Sequence, residues 1–148
     1  MREQEPWPWR GMLSLETLGS YFHDHCGAEA PFPWNIRSPW RGNFFTVVGN
    51  PTSHGLVRRC MAAFPKQPDV RCLGLALPGF LPLVKSSDHW SFWKQGYPAV
   101  MVTDTGPLRY RHYHRGSDTF DKVDFDTFAT VVTGLVGMVG QLAAEPRS

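Results

Sequence analysis

Ser86 to Thr119 reads SSDHWSFWKQGYPAVMVTDTGPLRYRHYHRGSDT. Its middle, Pro98-Ala99-Val100-Met101-Val102, is short, apolar and valine-rich, with Gly96 before it and Thr103 to Pro107 after it. That length and those flanking breakers predict a buried strand. Titratable residues stand on both sides, Asp88 and His89 upstream, His112, Tyr113, His114 and Asp118 downstream. Polar groups at both ends of a buried strand are how an α/β protein builds a site at a sheet edge.

Working outward, Trp90 to Gln95 predicts one or two helical turns, started by Ser87 or Asp88 and stopped by Gly96. Val70 to Leu77 and Asn43 to Gly49 read as further strands. Between them His54 to Phe64 predicts a helix, capped by Thr52 or Ser53, with Leu56, Val57, Cys60, Met61 and Phe64 on one face. Gly11 to Gly19 predicts a short strand with Glu16 near its end, a carboxylate in an apolar setting that needs a reason. The last helix spans Asp124 to Ala144, where Phe125, Phe128, Val131, Val132, Leu135, Val136, Val139 and Leu142 recur at intervals of three and four. Strands alternating with helices point to an α/β layered sheet. Residues 1–10 are rich in proline and tryptophan without periodicity and read as an unstructured leader to a single domain over 11–148.

The bulk numbers fit that reading. At 148 residues, with 42% hydrophobic and 19% charged residues, the chain can bury the core of one domain. A net charge of +2 with dispersed basic residues argues against a nucleic-acid partner. No signal peptide is visible, which leaves the compartment open, and no run approaches the roughly 20 apolar residues of a membrane segment. Ala129 to Ala144 reads as a helix with one buried face. The 3 cysteines lack metal-ligand spacing, and an odd number argues against a disulfide framework.

Several clusters invite chemistry. His112 and His114, two apart on an extended segment, could ligate zinc from one side, with Glu16 supplying an oxygen from another strand; surface histidines and a strand-end carboxylate explain the same residues. His23-Asp24-His25-Cys26 lies in the long Ser20–Gly42 loop without a further ligand at zinc-like spacing. Ser87-Asp88-His89 is no triad, because triads are assembled from distant positions, and helix capping accounts for it. Neither a G-x-S-x-G elbow nor a glycine-rich phosphate loop occurs.

Five segments occur in the order of a known family: Gly11 to Gly19, Gly42 to Asn50, Ser87 to Phe92, Gly96 to Thr105 and Arg111 to Thr119. On these the sequence resembles the C-terminal part of the co-catalytic zinc aminopeptidases of metallopeptidase family 28. The resemblance implies the C-terminal half of a three-layer α/β/α zinc-exopeptidase sheet and a parent enzyme that removes N-terminal residues from peptides. It places Glu16 as the acidic ligand of one zinc and His114 as the histidine ligand of the other. It places Tyr113 where some members carry a tyrosine that hydrogen-bonds the tetrahedral intermediate. Asp88 and His89 match an element lining the pocket wall, and Asp118 one that orients the loop. Two metals roughly 3.5–4 Å apart would polarise the scissile carbonyl and lower the pKa of a bridging water.

The family's other site elements are a His-x-Asp motif, a bridging aspartate and a Glu-Glu pair whose first member is the general base. Here no histidine is followed two places later by aspartate, and no two acidic residues are adjacent. The expectation is therefore the distal half of a peptidase domain, from a truncated frame, a split gene or a wrong start site. Such a chain would bind zinc weakly or not at all and be inactive alone. The alternatives are a non-catalytic module that binds a peptide or partner, and one half of a split enzyme completed in trans. A half-sheet also leaves an edge open to a complementing chain or to self-association.

Overall fold

The computed structural model describes residues 10–23 and 42–145. The expected leader and most of the long loop, with Asp24, His25, Cys26, Trp34 and Trp40, lie outside these described residues. Four strands form one sheet: β1 (Met12–Glu16), β2 (Phe44–Gly49), β3 (Arg71–Ala76) and β4 (Ala99–Thr103), in the order β1-β4-β2-β3. Four α-helices accompany them: α1 (His54–Ala63), α2 (His89–Lys94), α3 (Gly106–Arg109) and α4 (Phe125–Ala144).

The sheet is mixed. β1 runs parallel to β4, and β2 parallel to β3, while β4 and β2 are antiparallel. The register sets Glu16 beside Thr103, and Thr103 opposite Thr46. The C-terminal ends of β1 and β4 therefore meet the entrance to β2 at one rim.

Every residue of β4 is buried, because side chains on both its faces have a helix to pack against. On one face Val100 and Val102 join Phe45, Val47, Val57, Cys60, Val131, Leu135 and Met138 under α1 and α4. On the other, Met101 joins Val48 and Val84, with Trp93 of α2 packed against them. The result is an α/β/α sandwich, the expected fold class.

Close packing fixes two glycines. A Cβ on Gly49 would stand 2.6 Å from Val57 Cγ2, and one on Gly134 would stand 2.5 Å from Phe64 Cε2. These are the contacts that let α1 lie on β2 and α4 lie on α1. Cys60 and Cys72 are free thiols; burial pushes them up to about 11 and about 12. Cys72 Sγ contacts Met61 Sδ at 3.4 Å instead of pairing with Cys60.

Some local readings change. Ser53 holds the N-cap position of α1 but makes no side-chain cap bond; the capping bond falls on the turn before it, where Asn50 Oδ1 accepts from Ser53 N at 2.8 Å. Ser53 Oγ instead accepts from Ala99 N at 3.2 Å, tying the start of α1 to β4. Asp88 holds the N-cap position of α2 but makes no side-chain cap bond. By length and composition α4 is apolar enough to cross a membrane. The core helix of a soluble domain passes the same test, and Val131, Leu135, Met138 and Leu142 of α4 are buried.

Candidate functional site

The rim at the ends of β1 and β4 is built from strained backbone. Among the described residues three non-glycine residues adopt positive φ: Thr17 at 46° and Thr105 at 65° at this rim, and His114 at 55° in the loop beyond α3. Each conformation costs roughly 1–2 kcal/mol in an L-residue. Such strain persists only where surrounding contacts hold it, and it gathers at functional sites. Here the contacts are visible. Thr17 turns the chain out of β1 with its Oγ1 bonded to Glu16 O at 2.8 Å and to Thr103 Oγ1 at 3.0 Å. Asp104 N donates to Thr17 O at 2.8 Å, and Thr105 N donates to Thr103 Oγ1 at 3.0 Å.

Glu16, half-buried at the end of β1, is held from the α2 side. Ser87 Oγ donates to its Oε2 at 3.0 Å, and Ser14 Oγ lies 2.7 Å from the same hydroxyl. A carboxylate only accepts, so Ser87 spends its proton on Glu16 and Ser14 donates to Ser87. Ser14 and Glu16, two apart in β1, point to the face covered by α2. This gives the carboxylate the reason its apolar surroundings demanded. It also shows that Ser87 braces Glu16 and does not cap α2.

His89 is fully buried in the wall behind this carboxylate. Its Nε2 lies 2.6 Å from Val84 O, so Nε2 carries the proton and Nδ1 is left without a partner. Trp93 packs edge-on against the ring at 4.5 Å. Desolvation holds the imidazole below its usual range, against the pull of the Val84 carbonyl, Asp88 and Glu16. A neutral ring in an aromatic wall lines a site without titrating in it near neutrality. Asp88 itself is exposed.

Asp104 follows β4 and is almost wholly buried. Its Oδ2 accepts from Ser20 N at 2.8 Å. Desolvation raises its carboxyl above the usual range, opposed by the Ser20 amide, Arg109 and Thr17. The Arg109 guanidinium donates to Gly42 O, Phe44 O and Ser20 O at 2.9, 2.7 and 3.2 Å and lies over the Phe44 ring. It thereby fastens the ends of the long loop to α3. Nothing in the sequence distinguished Asp104, Arg109 or the two threonines; a strained threonine looks like any other until its neighbours are known.

His112, Tyr113 and His114 sit on a compact loop. Backbone bonds from Tyr113 N to Tyr110 O, Arg115 N to His112 O and Asp118 N to Arg115 O wind it into consecutive turns. Asp118 Oδ1 accepts from Tyr110 Oη at 2.6 Å, bracing the loop across its base. Partial burial, this bond and the Asp118 charge push the Tyr110 phenol up to about 12. His112 Nδ1 lies 2.9 Å from Ser117 Oγ, and its Nε2 accepts from Arg111 Nε at 3.2 Å. Both its ring nitrogens are occupied. His114 is exposed and stacks on Tyr113 with centroids 4.0 Å apart. Of the two histidines, His114 is the one whose nitrogens are left for a ligand.

Among the described residues no three His, Cys, Asp or Glu side chains gather as a metal site. Neither Glu16 nor His114 therefore belongs to a three-ligand group among the described residues. A zinc site needs three or four, so these residues do not by themselves fit the metal that the resemblance implies.

An α/β/α sandwich with carboxyl, hydroxyl and imidazole groups gathered at its strand ends belongs to the α/β class that forms sites at the carboxyl ends of strands. Within that class the chain belongs to Peptidase family M28, whose sequence profile matches residues 61–139. It is 33% identical over 135 residues to the uncharacterized protein YfbL of Escherichia coli (strain K12), across 89% of this chain and 41% of that protein. It is 41% identical over 58 residues to a probable leucine aminopeptidase 1 of Trichophyton verrucosum (strain HKI 0517), across 38% of this chain and 16% of that protein. The chain thus spans well under half the length of either relative. No solved structure matches it.

Proposed function

We propose that this chain carries the distal portion of a zinc aminopeptidase site, with Glu16 a ligand of one metal and His114 of the other. In the complete site a metal-activated water would hydrolyse the first peptide bond of a peptide substrate. Tyr113 would hydrogen-bond the tetrahedral intermediate through its phenol O–H. Asp88 and His89 would line the pocket wall, and Asp118 would hold the loop that presents His114. The observation that carries the reading is the positive φ at Thr17, next to Glu16, and at His114 itself. The aminopeptidase relative supports it.

By the same reading the chain alone is inactive and holds zinc weakly, since each metal has one protein ligand and no general base is supplied. The test is metal content after dialysis against trace zinc, together with release of the aryl amine from an aminoacyl anilide. We expect well under one zinc per chain and no hydrolysis above the buffer rate. Stoichiometric zinc with hydrolysis that a chelator abolishes would overturn it.

A second reading, completion in trans, is favoured by the edge of the sheet. Among the described residues β1 pairs on one side only, with β4. Leu15 is 60% exposed, and Val132, Val136 and Val139 of α4 are exposed as well. An open strand beside apolar side chains is a surface on which a complementing chain or a second copy would add.

A further inference from the structure

A cleft of about 210 Å³ opens beside the histidine loop, lined by Arg109, Tyr110, Arg111, Tyr113 and Arg115 among others. It is too small for a drug-sized ligand, for which sites of roughly 300–1,000 Å³ are usual. It suits one side chain or one chain terminus. Three of its lining residues are arginines within a single turn-rich segment, and the site described above gives two of them nothing to do.

Arg109 is committed to three backbone carbonyls, so it forms the fixed wall. Arg111 uses its Nε on His112, which leaves the two terminal nitrogens of its guanidinium. Among the described residues neither Arg111 nor Arg115 forms an ion pair with a carboxylate; the ion pairs there are His23–Asp124, Arg59–Glu145 and Lys122–Asp121. The acidic neighbour of the cleft, Asp118, is occupied by Tyr110 Oη. Guanidinium forks match a carboxylate in two parallel bonds. Tyr113 lines the same cleft and stacks on His114, so a group bound there lies next to the proposed ligand.

We propose that this cleft binds a carboxylate of the peptide substrate through Arg111 and Arg115. This would give the site a preference for peptides that carry an acidic side chain or a free C-terminus near the scissile bond. The inference rests on the peptidase reading of the site, but its test needs neither zinc nor hydrolysis.

Three capped amino acids serve as probes in a calorimetric or NMR titration: N-acetyl-glutamate amide with only a side-chain carboxylate, N-acetyl-glutamine with only an α-carboxylate, and N-acetyl-glutamine amide with none. At least one carboxylate probe should bind roughly tenfold tighter than the neutral one, a difference two charge-assisted hydrogen bonds can supply. Whichever carboxylate carries the preference identifies its source. The double variant R111Q/R115Q should lose the preference while R58Q/R71Q, on α1 and β3, keeps it. Equal binding of all three probes, no binding of any, or a preference that survives R111Q/R115Q would overturn the proposal. A folded R111Q/R115Q chain, checked by its circular dichroism, keeps the comparison valid. Because the readout is binding alone, its failure leaves the zinc assignment of Glu16 and His114 standing, and failure of that assignment leaves the carboxylate preference measurable.

Discussion

A carboxyl buried as deeply as that of Asp104 ionises against the loss of water. The sign of the effect on stability follows. With its folded pKa raised, the folded protein keeps a proton that the unfolded chain releases near pH 4. Between those two pKa values the folded state binds more protons, so stability falls as pH rises, and above the folded pKa the loss is complete. Asp104→Asn keeps an oxygen for the Ser20 amide and removes the charge. Its melting temperature should exceed that of the wild type at pH 7, with the gap closing toward pH 4. Melting curves of the two proteins that stay parallel across that range would show that Asp104 does not titrate against the fold. Ser87 makes a related point. Its hydroxyl reads as a helix cap in the sequence, yet a carboxylate on a strand more than 70 positions away claims it. Local pattern cannot show which of two acceptors lies nearer in space.

At the scale of elements, the periodicities that carry burial were legible. The apolar run of β4, the three-and-four spacing of α4 and the single apolar face of α1 predicted those elements to within a residue or two. α3 was not legible, because a four-residue helix behind a left-handed Thr105 has no period to detect. The antiparallel seam between β4 and β2 was equally hidden, since strand order depends on which apolar faces meet. Packing between elements gives a matched pair of tests on α4. Gly→Ala inside a helix gains about 1 kcal/mol from propensity. At Gly137 nothing lies within 4 Å of the new methyl, so Gly137→Ala should raise stability by about that amount. At Gly134 the methyl meets the Phe64 ring, and overpacking costs about 1–3 kcal/mol. Gly134→Ala should therefore gain nothing or lose up to about 2 kcal/mol in denaturant unfolding. Equal gains at both positions would show that α4 does not sit on Phe64.

For the whole molecule the exposed surface decides behaviour. Phe80, Leu81 and Leu83 stand out beyond the end of β3, and Leu75 of that strand is exposed as well. Leu15 and the α4 valines line the opposite edge. Scattered apolar residues are ordinary, but apolar rows beside open strands promote association. The chain should self-associate as its concentration rises through the micromolar range, read as a growing mass in sedimentation or light scattering. A sharply melting monomer at all concentrations would count against an incomplete sheet. The resemblance proposes Glu16, His114 and Tyr113 as site residues; the burial of Asp104 and the strain at Thr17 were illegible, because they arise only once distant segments meet.

The pairing of β1 with β4 has one more consequence, and it concerns time. Met12 pairs with Ala99, 87 positions further along the chain. Closing a loop that long is entropically slow. On a ribosome β1 emerges before its neighbour and waits until β4 has been made. Glu16 reaches its place only after that wait, and it loses that place again whenever the strand frays.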